Sequence, residues 1–169
     1  MFIRKFEQSD YPFVKDIYQQ GIDTGNATFQ LKAKTWDEWN NSMHSHSRIV
    51  AVENNTILGW AALSPISNRE VYAGVAEVSV YVAMNAQGKG VGQKLLSALI
   101  VASEANNIWM LQSAIFPENK GSIKLHKNTG FRQVGLREKL GKMHGVWRDV
   151  VLMERRSKTV GTSDTPELN

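Results

Sequence analysis

The chain is expected to fold as a mixed α/β (α+β) body, with one central mixed sheet and helices on both of its faces. Three observations predict this. The β-prone run Val78-Ser79-Val80-Tyr81-Val82 leads through Gln87-Gly88-Lys89-Gly90-Val91-Gly92 into an apolar helical pattern at Val91, Leu95, Leu96, Leu99 and Ile100. A hairpin-type pair of strands precedes that unit, and strand, helix, strand and strand follow it, an order that packs helices around one sheet. The 169 residues, 42% hydrophobic and 21% charged, suffice for one domain with a full core.

Each element has its own signal. Residues 2–7 alternate as a short strand. Ser9-Asp10 can cap a helix over 11–20, with Pro12 tolerated in the first turn. Residues 21–34 read as irregular. Thr35-Trp36-Asp37-Glu38 has capping-box spacing and predicts a second helix to about His44. Residues 49–52 and 57–63 form a hairpin across the Asn54-Asn55 turn. A strand over 75–82 enters the glycine loop, and a helix covers roughly 90–106. A strand over 109–115 follows. Pro117-Glu118-Asn119 opens a further helix that Gly130 stops. Strands over 131–138 and 146–153 close the fold. The domain is expected to span 1–156, with 157–169 as a polar, frayed tail.

Composition excludes several functions. The net charge is +4, and the basic residues are scattered apart from Arg155-Arg156 and Lys158, so a nucleic-acid partner is not expected. No apolar run is long enough to span a bilayer, and Met1-Phe2-Ile3-Arg4-Lys5 lacks an apolar signal core, which makes a cytoplasmic address the default. The absence of cysteine removes disulfides, thiolate metal sites and a cysteine nucleophile. His44-x-His46 has no third ligand at fitting spacing, so no metal is expected. Trp36 and Trp39 on the second helix, Trp60 and Trp109 are spread over separate parts of the fold and read as core or interface.

Strand, glycine turn and helix start together bind phosphates, because glycines let the backbone approach an anion and the free N–H groups of the helix start point at it. The Walker pattern fails here, since Gln93 stands five residues after Gly88 and no Ser or Thr follows Lys94. The dinucleotide pattern fails at the same Gln93. What fits is Gln-x-x-Gly-x-Gly, at Gln87, Gly90 and Gly92.

That loop resembles the pyrophosphate-binding loop of the GNAT superfamily of acyl-CoA N-acyltransferases. The chain more narrowly resembles the phosphinothricin / methionine sulfoximine N-acetyltransferases. Carrying this are Glu77 to Val82 before the loop, Asn119, Ser122, Leu125 and His126 before Gly130-Phe131, and His144-Gly145-Val146-Trp147-Arg148-Asp149. Gly25, Ala27, Thr28 and Phe29, with Arg69 and Tyr72, complete it.

The resemblance implies a GNAT fold and direct acetyl transfer from acetyl-CoA to the amine of a small amino-acid-like acceptor. An amine is mostly protonated at neutral pH, so a base must take a proton. Glu77, between Ala76 and Val78, is the candidate, against an edge carboxylate as the plain alternative. The backbone near Val80, Tyr81 and Val82 would hold the cofactor arm, and Gln87, Gly88, Lys89, Gly90, Val91, Gly92, Gln93 and Lys94 the pyrophosphate. His126 stands where many family members place an acidic tyrosine, and is either that acid or a helix-surface histidine. Asn119 and Ser122 contact the cofactor arm, or Asn119 caps its helix. Arg69 clamps an acceptor anion or is a solvated cation. Phe29, Tyr72 and His144 wall the acceptor pocket with Trp147 and Asp149, unless Trp147 is core. A homodimer is also implied. Two rivals remain: acetylation of a protein or peptide amine, and a non-catalytic acyl-CoA sensor.

Overall fold

The computed structural model describes residues 1–163. One seven-stranded sheet, in the order β1-β2-β3-β4-β5-β7-β6, organises the chain. The strands are β1 (Phe2–Lys5), β2 (Ile49–Glu53), β3 (Thr56–Pro65), β4 (Val75–Val82), β5 (Met110–Ile115), β6 (Arg132–Met143) and β7 (Val146–Arg156). The helices are α1 (Tyr11–Asp23), α2 (Trp36–Ser42), α3 (Val91–Glu104) and α4 (Lys120–Asn128). Neighbouring strands are antiparallel except β4 and β5, which are parallel, so the sheet is mixed.

Helices cover both faces. On one, Tyr18 of α1 meets Trp60 at 5.7 Å and Tyr81 at 4.8 Å, and Trp39 of α2 meets Trp60 at 5.8 Å. On the other, α3 buries Val91, Leu95, Leu96, Leu99 and Ile100, the stripe its spacing predicts. Helix α4 packs beside α3. Among the described residues no helix is long and apolar enough to cross a membrane.

Differences from the sequence reading have local causes. Helix α1 starts after Asp10, but the Asp10 carboxylate does not cap it. Both Asp10 oxygens instead accept from Arg4, at 2.7 and 2.8 Å, and one also takes the Glu7 N–H. The helix also continues to Asp23, past the expected end. The capping box at Thr35 and Glu38 forms as its spacing predicts. Strand β6 runs on to Met143 across a bulge, where the Asp149 carboxylate accepts the Lys139 N–H at 2.8 Å. The chain does not leave the body directly after β7. Ser157 is buried, donating from its N–H to Trp109 O and from its hydroxyl to Glu104. Of the expected tail, residues 164–169 lie outside the described residues.

Candidate active site

The sheet opens at its centre. Strands β4 and β5 pair only at Val75–Met110, Ala76–Leu111 and Glu77–Gln112. Beyond Glu77 no ladder joins them, while β4 stays paired with β3 as far as Val82–Gly59. Two hydrogen bonds fix which backbone groups face the opening. At one end Met110 N–H donates to Gly74 O at 3.0 Å, so Gly74 faces β5; at the other, Ala83 N–H donates to Leu58 O at 2.9 Å, so Ala83 faces β3. Strand alternation then turns the Val80 and Val82 N–H groups into the gap, and those of Ser79 and Tyr81 toward β3. Two donors thus line a slot in the middle of the sheet without ladder partners.

The slot ends at the glycine loop. Gly88 has φ +74 and Gly90 has φ +77, and a Cβ on either would meet nothing within 4 Å. Glycine is therefore required by the left-handed backbone, and the space above both stays open for a ligand. Among the described residues no side chain caps the start of α3, whereas Thr35 caps α2 and Asn119 caps α4. The first N–H groups of α3 and the positive end of its dipole are thus free to hold an anion. Lys89 and Lys94 are exposed beside them, as are Gln87 and Gln93. The Val91 side chain is buried in the core, so only its backbone can serve a ligand. A linear cofactor with a pyrophosphate at one end and an amide-bearing arm at the other fits this cradle and slot.

Glu77 sits at the last rung before the opening. It is half-buried, and Gln112, its register partner on β5, donates from Nε2 to Glu77 Oε2 at 3.1 Å. Alternation puts Glu77 and Tyr81 on the α1 face. Tyr81, expected among the cofactor contacts, instead stacks on Trp60 at 5.0 Å, and its backbone is spent on the β3 ladder. Burial and the nearby Tyr18 push the Tyr81 phenol well up, with Thr28 opposing and Glu77 adding to the rise. Tyr18 shifts upward for the same first cause. Phe29 packs edge-on against Phe116, just past β5, at 4.8 Å. Glu77, Tyr18, Tyr81 and the Thr28-Phe29 segment therefore gather on one side of the opening.

Helix α4 departs from expectation. His126 is only 3% exposed, so it is not a surface histidine. Its Nδ1 meets Ser122 O at 2.8 Å and its ring stands edge-on to Phe131 at 4.9 Å. A carbonyl can only accept, so Nδ1 carries the proton and Nε2, which has no partner among the described residues, is an acceptor. Burial lowers the imidazole pKa, against the raising effect of Ser122 O, and keeps the ring neutral. The Asn119 amide is used within the protein: Oδ1 accepts the Ser122 N–H at 3.1 Å and Nδ2 donates to Asn26 O at 3.2 Å.

The remaining expected pocket residues are dispersed. Arg69 and Tyr72 are exposed on the loop before β4, the guanidinium 5.5 Å over the phenol ring, while the Glu77 carboxylate is hydrogen-bonded to Gln112 instead. His144 is exposed in the β6–β7 turn and lines a cavity of about 270 Å³ with Gly25, Gln30 and Met143, which Glu77 does not reach. Trp147 is 55% exposed, beneath Lys142, rather than core. Sequence reasoning missed Gln112 and Tyr18. Gln112 is placed by cross-strand register, which leaves no local mark; Tyr18 looks like an ordinary apolar helix position.

An opened parallel pair, two free strand donors, an uncapped glycine-rich helix start and a carboxylate at the mouth fit an acyltransferase that takes its acyl group from coenzyme A. The chain belongs to the acetyltransferase (GNAT) family, whose model matches residues 6–131. It is 30% identical over 161 residues to a phosphinothricin N-acetyltransferase of Streptomyces coelicolor, covering 90% of this chain and 94% of that protein. Among solved structures, a GNAT superfamily phosphinothricin acetyltransferase of Sinorhizobium meliloti in complex with AcCoA superposes with a TM-score of 0.87 at 26% identity, covering 98% and 93% of the two chains. A ribosomal-protein-alanine N-acetyltransferase of Brucella melitensis superposes at 0.85 with 27% identity, covering 93% and 100%. The chain is accordingly an acetyl-CoA-dependent acetyltransferase.

Proposed function

We propose that this acetyltransferase acts on the amine of a small amino-acid-like acceptor, such as phosphinothricin or methionine sulfoximine or sulfone, with Glu77 as the base. The observation that carries this is the position of Glu77: half-buried, held by Gln112, at the rung where β4 and β5 part. The bound cofactor supplies an activated thioester. The uncapped first turn of α3 would hold its pyrophosphate, and the Val80 and Val82 N–H groups, free of the β4–β5 ladder, would stabilise the negative charge that develops on the thioester oxygen. Glu77 takes the ammonium proton and leaves the nitrogen lone pair free to attack. With no cysteine in the chain, transfer goes directly to the acceptor.

His126 fits an orienting role better than that of an acid. Its one proton is given to Ser122 O, and a thiolate, from a thiol of pKa about 8.5, leaves without obligatory help. The Asn119 cap and loop tie make it a supporting residue, not a cofactor contact. Association into a homodimer belongs to the same reading; the exposed apolar side chains of Leu136, Leu140, Val146 and Trp147 on β6 and β7 support it. Light scattering of the purified protein checks it.

A second reading, acetylation of a protein α-amine, is favoured by the likeness to the Brucella melitensis enzyme. A thiol-release assay with acetyl-CoA separates the two. The panel holds phosphinothricin, methionine sulfoximine, methionine sulfone, free amino acids and an alanine-initiated peptide. Turnover confined to the amino-acid analogues supports the proposal, and turnover of the peptide alone overturns it. Binding of acetyl-CoA with no turnover on any acceptor points to a sensor.

A further inference from the structure

The loop between α1 and α2 carries Thr28 and Phe29 onto the acceptor side of the opening, and such a segment has little secondary structure to hold it. One residue of β7 supplies the restraint. The Arg148 guanidinium donates from Nη1 to Gly25 O at 2.9 Å, and from Nη2 to Asn26 Oδ1 at 2.9 Å and Glu118 Oε2 at 3.2 Å. Its carbon stands 4.0 Å from the centre of the Phe116 ring, against which Phe29 packs. The side chain is only 14% exposed, although Glu118 is exposed. A forked cation with its donors spent on loop acceptors and its face on an aromatic ring is a clamp that a lysine cannot reproduce.

The residue opposite Arg148 on β6 addresses the same segment. Gly141 pairs with Arg148 across the hairpin, and a Cβ there would lie 2.6 Å from Phe29 Cζ. The register that brings them together depends on the bulge pinned by Asp149. Asn119 ties Asn26 O to the start of α4. One cross-strand pair thus fixes both ends of residues 25–29: Arg148 holds Gly25 and Asn26, and Gly141 leaves room for the Phe29 ring.

We infer that Arg148, with Gly141 opposite it, is a positioning residue that sets the acceptor side of the site by clamping residues 25–29 against β5–β7. The inference rests on the proposed small-amine reading for its kinetic arm only. Arg148 touches none of the residues of the α3 cradle, so its effect separates by substrate. Arg148→Gln should raise the acceptor KM about tenfold, the usual scale for losing a charge-assisted hydrogen bond, and leave the acetyl-CoA KM within about twofold. Arg148→Lys should resemble Arg148→Gln, because charge alone does not rebuild the fork. Asn26→Asp, which keeps an acceptor for Nη2, should stay near wild type.

Hydrogen exchange gives the second arm, which needs no acceptor. Amides within 25–30 should lose protection in Arg148→Gln and Arg148→Lys, while those of α3 keep theirs. Unchanged exchange at 25–30, or equal loss across the whole sheet, overturns the clamp. So does a rise in both KM values together. If wild type proves to act only on peptides, the small-amine reading fails while the exchange experiment still decides the clamp.

Discussion

Gly90→Ala tests the cofactor cradle with a cost that can be worked from the structure. Gly90 has φ 77 and ψ 7, and a Cβ there meets nothing within 4 Å, so the added methyl clashes with nothing. The whole cost is the left-handed backbone, about 1 kcal/mol for an L-residue. In a chain of this length that lowers Tm by about 2–4 °C. Rotating φ to relieve the strain would swing the N–H groups at the start of α3 away from the anion they are proposed to hold. The acetyl-CoA dissociation constant, by calorimetry, should then rise about tenfold, the loss of roughly one charge-assisted hydrogen bond. Gly145→Ala is the matched control: φ is 78, its Cβ is equally free, and it sits in the β6–β7 turn far from the loop in sequence. It should lose similar stability and bind acetyl-CoA as wild type does. Equal affinity in both variants, with Tm lowered in both, would refute the assignment of the loop as the cofactor cradle.

Two further predictions concern stability. Arg4 holds the Asp10 carboxyl below the usual carboxylate range through hydrogen bonds. That contribution is present above about pH 3.9, the unfolded value, and is lost as pH falls through the lower folded one, so Asp10→Asn should cost about 1–2 kcal/mol at pH 7 and blunt acid unfolding. Burial lowers the His126 pKa, so its neutral ring favours the fold fully above about pH 6.5 and decreasingly as pH drops toward the depressed value. The urea midpoint of His126→Gln should therefore fall less between about pH 7 and about pH 5 than that of wild type. Some slope should remain, because burial also lowers His44 and His46.

The fold was legible where a local rule was strong. The capping box at Thr35, the Asn54-Asn55 turn, the α3 stripe and the Gly88–Gly90 loop each announce themselves within a few residues, and the structure builds each of them. What escaped depends on tertiary partners. Asp10 reads as a cap, yet Arg4 on β1 outcompetes the helix for its carboxylate. Tyr81 reads as part of the cofactor strand, but alternation turns its side chain to Tyr18 and its backbone to β3. His126 sits at a helix position that could face either way, and only Phe131 and Ser122 O decide its burial and tautomer. Gln112 and Arg148 act through register across strands, which sequence spacing does not encode.

Glu77 is the group proposed to free the acceptor amine. The most direct test is Glu77→Gln, an isosteric change that keeps a hydrogen-bonding partner for Gln112, assayed for kcat with the best acceptor and for acetyl-CoA affinity by calorimetry. Loss of general-base catalysis should lower kcat by about 100-fold or more while acetyl-CoA binds as before. A kcat within about threefold of wild type, at unchanged affinity, would exclude Glu77 as the base, since a base contributes at least about 100-fold.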